Sequence, residues 1–157
     1  MLDPFASSSC FHGVTSVVAG NCGFALAPTR ANGRDAVKQI FTRVEEIDLE
    51  VLDQIEWDFE TFPEFLDARR GRLGINAAFY VGHSNLRLFA MGEAAYDREA
   101  TDAEIDQMRK MVAEAMAAGA AGISSSHSPT DFDAQDRPVP SRRASREELE
   151  SLAQEVG

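Results

Sequence analysis

Three residues of this 157-residue chain pair a reactive side chain with a turn-like setting: Cys22, His83 and His127. Cys22 lies in Gly20-Asn21-Cys22-Gly23, where tight backbone would project its sulfur from the rim of a sheet. As a thiolate it could be a nucleophile or a soft metal ligand. A free cysteine also serves as a small buried hydrophobe, and the turn position is what argues against that. His83, in Gly82-His83-Ser84, could be a base, a metal ligand, a substrate-binding group or a histidine that satisfies backbone groups at a strand end. His127, between Ser126 and Ser128, leaves the same alternatives open. His12 precedes Gly13 at the start of a strand, the wrong end for catalysis, and reads as structural. Asp131-x-Asp133-x-Gln135-Asp136 resembles a calcium loop only in passing, because Asp136 occupies the sixth position and Arg142 the twelfth, where glycine and glutamate are required. The glycines near Cys22 make neither a dinucleotide fingerprint nor a phosphate-binding loop.

The elements that must position these residues follow from hydrophobic periodicity. Val14 to Ala19 is a β-branched run stopped by the Gly20 turn and predicts a strand over 14–19. Residues 73–82 are apolar except for Gly74, Asn76 and Gly82, which suits a strand covered on both faces. Residues 121–125 predict a third, short strand. Between the first two, Val37, Ile40, Phe41, Val44, Ile47, Val51 and Leu52 recur at helical spacing and predict one or two amphipathic helices. Thr61 to Glu64, Thr101 to Glu104 and Ser145 to Glu148 each have the spacing of a capping box and mark three further helix starts. Residues 84–91 predict a short helix, and Ile105, Met108, Val112, Ala115 and Met116 form the buried stripe of the helix that opens at Thr101. Strand alternating with helix predicts an α/β fold with a parallel sheet, in which function gathers at the carboxyl ends of the strands. Those ends carry Asn21 and Cys22, then His83, then Ser126 and His127.

Composition narrows the function classes. With 44% hydrophobic and 26% charged residues, the chain reads as one ordinary globular unit that needs no disulfide or structural metal to fold. Fifteen Lys and Arg against 26 Asp and Glu give a net charge of −11, a field that repels nucleic acid and anionic membrane. Cys10 and Cys22 are too few for a disulfide framework, there is no transmembrane-length apolar run, and no charged leader precedes the first basic residue, Arg30. A reducing cytoplasm is the expected setting.

The segment from His12 to Pro28, His-Gly-Val-Thr-Ser-Val-Val-Ala-Gly-Asn-Cys-Gly-Phe-Ala-Leu-Ala-Pro, resembles a signature of the N-acyl-D-amino-acid deacylase (D-aminoacylase) branch of the metal-dependent amidohydrolases. Trp57 to Asp67, Val81 to Arg87, Met91-Gly92 and Arg137 to Arg142 resemble further segments of that family in the same order. The resemblance implies a metal-bearing (β/α)8 barrel, usually with zinc, that hydrolyses the amide of an N-acyl-D-amino acid. It places a metal-ligand cysteine at Cys22, where soft sulfur suits zinc. It puts His83 near a substrate pocket, to which the strand-end reading adds Asn21, Ser126 and His127, and identifies no catalytic residue within this chain.

The departures are equally informative. The family's His-x-His motif at the first barrel strand has no counterpart here, since the histidines are His12, His83 and His127. A complete barrel takes about 250 residues, so three strands in 157 residues are expected to form only part of one, corresponding to strands two to four, with the barrel not closed. The expected function is therefore a fragment of a D-aminoacylase-like hydrolase, inactive alone. Two alternatives stand beside it: a thiol hydrolase with Cys22 as nucleophile and His83 or His127 as base, and a non-catalytic interaction module that self-associates through open sheet edges.

Overall fold

The computed structural model of the chain describes residues 3–157. Its centre is a three-stranded parallel sheet in the order β1 (Ser16–Ala19), β2 (Asn76–Gly82), β3 (Gly122–Ser124). Ser16 to Ala19 lie opposite Asn76 to Phe79, and Tyr80 to Gly82 opposite Gly122 to Ser124. The α/β class and the parallel sheet expected from the alternation of elements are present, and among the described residues no further strand pairs with either edge of the sheet.

A short helix, α1 (Ser7–Cys10), precedes β1. The serine-rich stretch carries no apolar stripe, so periodicity gives no warning of it. Between β1 and β2 the chain forms α2 (Arg34–Val44), α3 (Leu49–Leu52) and α4 (Phe62–Arg69). Between β2 and β3 it forms α5 (His83–Met91) and α6 (Asp102–Ala118), and α7 (Arg146–Ala153) follows β3. β2 begins at Asn76 rather than at residue 73, because the amide of Gly74 donates to the carbonyl of Pro4 at 2.9 Å instead of joining the β1 ladder.

Two of the three capping boxes form in full. Thr61 and Thr101 each accept from the amide three residues on, while Glu64 and Glu104 return the bond to the cap backbone. The third corrects the sequence-based expectation. Ser145 Oγ accepts from the Glu148 amide at 3.1 Å, but the Glu148 carboxylate turns inward to His83 and Arg87. A buried cation outcompetes an exposed amide for a carboxylate, because the charge-assisted bond is the stronger one.

The core is a layer of helices on one face of the sheet. Phe62 and Phe65 of α4, Met108, Val112 and Ala115 of α6, and Leu152 of α7 bury against Val81 of β2. Phe65 meets Phe79 edge to face, with ring centroids 5.0 Å apart. A second cluster joins Val37 and Ile40 of α2 to Phe24, Leu88, Tyr96 and Val139, and so ties the loops after the strands to the helices. Val18 of β1 remains 58% exposed.

Candidate functional site

β1 ends in a turn whose backbone only glycine tolerates at two places. Gly20 and Gly23 have φ of +83° and +88°, in the left-handed region. A Cβ at Gly23 would lie 2.7 Å from the amide nitrogen of Ser126 and 2.9 Å from the carbonyl carbon of Ser125, so the turn packs directly on the segment leaving β3. Asn21 and Cys22 form its apex, with Asn21 exposed and Cys22 half-buried. Cys22 Sγ lies 3.8 Å from the Phe24 carbonyl. Burial pushes the Cys22 thiol above its ordinary pKa, and the Glu45 carboxylate pushes it the same way.

The ends of β2 and β3 are joined by a buried polar network. His83 is fully buried, with Nδ1 2.8 Å from Ser125 Oγ and Nε2 2.8 Å from Glu148 Oε1. Glu148 is itself buried and accepts from Arg87 Nη1, while Arg87 Nη2 donates to the carbonyls of Ala95 and Arg98 at 3.4 and 2.6 Å. Burial lowers the His83 pKa, partly opposed by the Glu148 carboxylate, and the Arg87 and His127 charges lower it further. Glu148 is held below its ordinary value, since bonds from His83 and Arg87 outweigh the burial that raises it. The state at neutral pH follows from these partners. A carboxylate only accepts, so Nε2 of a neutral His83 carries the proton and Nδ1 accepts the hydroxyl of Ser125.

The remaining candidate residues are placed separately. Ser126 Oγ donates to Asp131 at 2.6 Å, its carbonyl accepts from Ser141 Oγ at 2.7 Å, and His127 is exposed. The structure thus brings the Cys22 turn against Ser125 and Ser126, but makes neither His83 nor His127 a hydrogen-bond partner of Cys22. Asp133 holds its own loop, accepting from the amides of Gln135 and Arg137 and from Arg137 Nε. Glu148, Arg87 and Ser124 are polar residues of this region that sequence reasoning did not single out. Glu148 appeared only as a helix-capping residue, and no local spacing connects it to His83.

Cys22 opens onto a cleft of about 370 Å³ lined by Phe24, Phe41, Phe62, Phe65 and Phe79, with Glu45 and Arg69 as its charged members. Such a cleft is built to hold apolar groups. It does not complete a metal centre. Among the described residues no cluster of three or more His, Cys, Asp or Glu side chains could hold an ion, and His83 has both ring nitrogens engaged. A catalytic zinc needs three protein ligands, so the residues present do not fit one on their own.

No family model matches the chain. It is similar to the D-aminoacylase of Alcaligenes xylosoxydans xylosoxydans, 44% identical over 114 residues that cover 71% of this chain and 21% of that protein. Among solved structures it superposes on a D-aminoacylase studied for the role of its binuclear metal centre, with TM-score 0.66 and 34% identity over 92% of this chain and 26% of that one. It also superposes on the N-acyl-D-glutamate deacylase of Bordetella bronchiseptica complexed with zinc and a phosphonate inhibitor, with TM-score 0.65 and 32% identity over 94% of this chain and 27% of that one. The chain spans about a fifth of the length of the curated relatives it matches. Among the described residues no helix is long and apolar enough to cross a membrane.

Proposed function

The chain belongs to the D-aminoacylase family of amidohydrolases, as a part about a fifth of its relatives' length, and on that premise we propose that it is a section of a metal-dependent hydrolase that cleaves the amide of N-acyl-D-amino acids. The observation that carries the reading is the placement of Cys22 in a constrained turn at the carboxyl end of a parallel strand, packed against the end of β3. That is where α/β barrels assemble their sites, and residues 1–157 are read as three consecutive strands of such a barrel. Zinc is the proposed metal, because a thiolate is among its preferred donors. Cys22 supplies one ligand in this reading, and polypeptide other than these residues supplies the rest. Asn21, Ser126 and His127 are assigned to the rim of the substrate pocket, and His83 to holding that rim in place. A reducing, cytoplasmic setting suits the role, since Cys10 and Cys22 are both free thiols.

The test is a chimaera in which the matched region of the Alcaligenes D-aminoacylase is replaced by the corresponding residues of this chain. It is expected to hydrolyse N-acetyl-D-amino acids in preference to their L-enantiomers, and Cys22→Ala within it is expected to lower both zinc content and turnover. A folded chimaera whose zinc and turnover survive Cys22→Ala overturns the ligand assignment. A folded, zinc-loaded chimaera without D-specific hydrolysis overturns the substrate class.

A second reading, an interaction module, is favoured by one observation. Among the described residues β1 and β3 each pair only with β2, and Val18 is largely exposed, so both sheet edges are open to another strand. A concentration-dependent oligomer of the isolated chain in sedimentation velocity is its expected signature, and a monomer at all concentrations refutes it.

A further inference from the structure

The turn that carries Cys22 is closed by a side chain from the far strand. β1 and β3 are not neighbours, since β2 lies between them. Ser124, the last residue of β3, nevertheless reaches both ends of the Gly20 to Gly23 turn. Its Oγ accepts from the Gly23 amide at 3.1 Å and donates to the Gly20 carbonyl. The strap crosses the end of β2 at Gly82, which lies opposite Ser124 in the strand register. A side chain on Gly82 would meet the Ala25 amide at 2.9 Å, so the chain leaving the turn lies directly on the end of β2.

From this geometry we infer that Ser124 is a positioning residue for Cys22, acting by holding the turn in one backbone conformation and so aiming the sulfur. The inference rests on the functional reading of Cys22 for its consequence, but the strap itself does not. A hydroxyl has one proton to donate, and here that proton and one lone pair are both spent on the same four-residue turn. One rotation of the O–H satisfies both bonds, which removes the freedom of Asn21 and Cys22 to swing together. Ser124 is buried, and so is Gly23. Its loss therefore leaves a buried amide without its partner rather than exchanging it for water. A backbone bond from this turn to the first turn of α5 is longer: the Ser84 amide reaches the Gly23 carbonyl only at 3.4 Å.

The experiment compares wild type, Ser124→Ala and Ser124→Thr of the full chain by amide hydrogen exchange and by alkylation of the two thiols with iodoacetamide. In Ser124→Ala, protection of the Gly23 amide is expected to fall roughly fivefold to tenfold, the loss of one ordinary hydrogen bond. The core amides of Val81 and Val112 should change by less than about twofold, as they lie outside the strap. The Cys22 alkylation rate should shift severalfold while that of Cys10 does not, and Ser124→Thr, which keeps the hydroxyl, should restore both values. Unchanged Gly23 protection or an unchanged Cys22 rate in Ser124→Ala overturns the inference. So does a parallel loss of protection at Val81 and Val112, or failure of Ser124→Ala to fold, either of which assigns Ser124 to the fold as a whole. Neither readout uses metal or turnover, so a failed hydrolysis assay leaves the strap standing, and a failed strap leaves the substrate class standing.

Discussion

Replacing Glu148 by glutamine removes one charge from the buried network and nothing else of its shape. Glu148, His83 and Arg87 are all fully buried, and among the described residues Glu148 is the only carboxylate bonded to either of the other two. In Glu148→Gln the Arg87 guanidinium keeps its bonds to the carbonyls of Ala95 and Arg98 but loses its counter-charge in a fully buried site. Breaking a buried pair from one side costs about 3–5 kcal/mol. For a domain whose whole stability is on the order of 5–15 kcal/mol, the urea midpoint should drop sharply. Arg87→Met should cost a similar amount by stranding the carboxylate. The double variant Glu148→Gln/Arg87→Met should cost clearly less than the sum of the two, because no uncompensated charge remains. The assay is equilibrium urea unfolding of the four proteins at pH 7.5, followed by circular dichroism. A Glu148→Gln variant within about 1 kcal/mol of wild type, or strict additivity in the cycle, would falsify the claim that this ion pair ties α7 to α5.

The same network predicts loss of stability on acidification. The His83 pKa is lowered in the fold, so the unfolded chain takes up that proton first and stability declines as pH falls below the ordinary histidine value of about 6.5; Glu148, also lowered, adds a further loss below about 4.3. Urea midpoints measured from pH 8 to 4 should fall in that order, and a flat profile between pH 7.5 and 5.5 contradicts the His83 assignment. Gly23→Ala forces a left-handed φ on alanine and drives its Cβ to 2.7 Å from the Ser126 nitrogen, so it should cost about 1–3 kcal/mol. A wild-type urea midpoint for that variant would show that the turn relaxes freely. Thr101→Ala removes the cap of α6 and should cost about 1 kcal/mol, read as a lower thermal midpoint. No shift in that midpoint would mean the capping box contributes nothing in this fold.

What the sequence determines by itself is local. Val14 to Ala19 stops at Gly20 because β-branched residues favour the pleat and the following glycine accepts a left-handed φ. Thr61 and Thr101 open helices because their hydroxyls lie within reach of the amide three residues on. The parallel sheet follows from the alternation of such elements, and the polar ends of the three strands, Cys22 among them, could be named from it. The Ser145 box shows where that reading stops. Its spacing is right, yet Glu148 leaves it for two partners 61 and 65 residues away. The Ser124 strap joins residues about a hundred positions apart across an intervening strand. Neither contact has a signature in spacing, because both arise only when the packing of α6 and α7 on the sheet buries these polar groups beside one another, where an internal partner offsets the cost of burial.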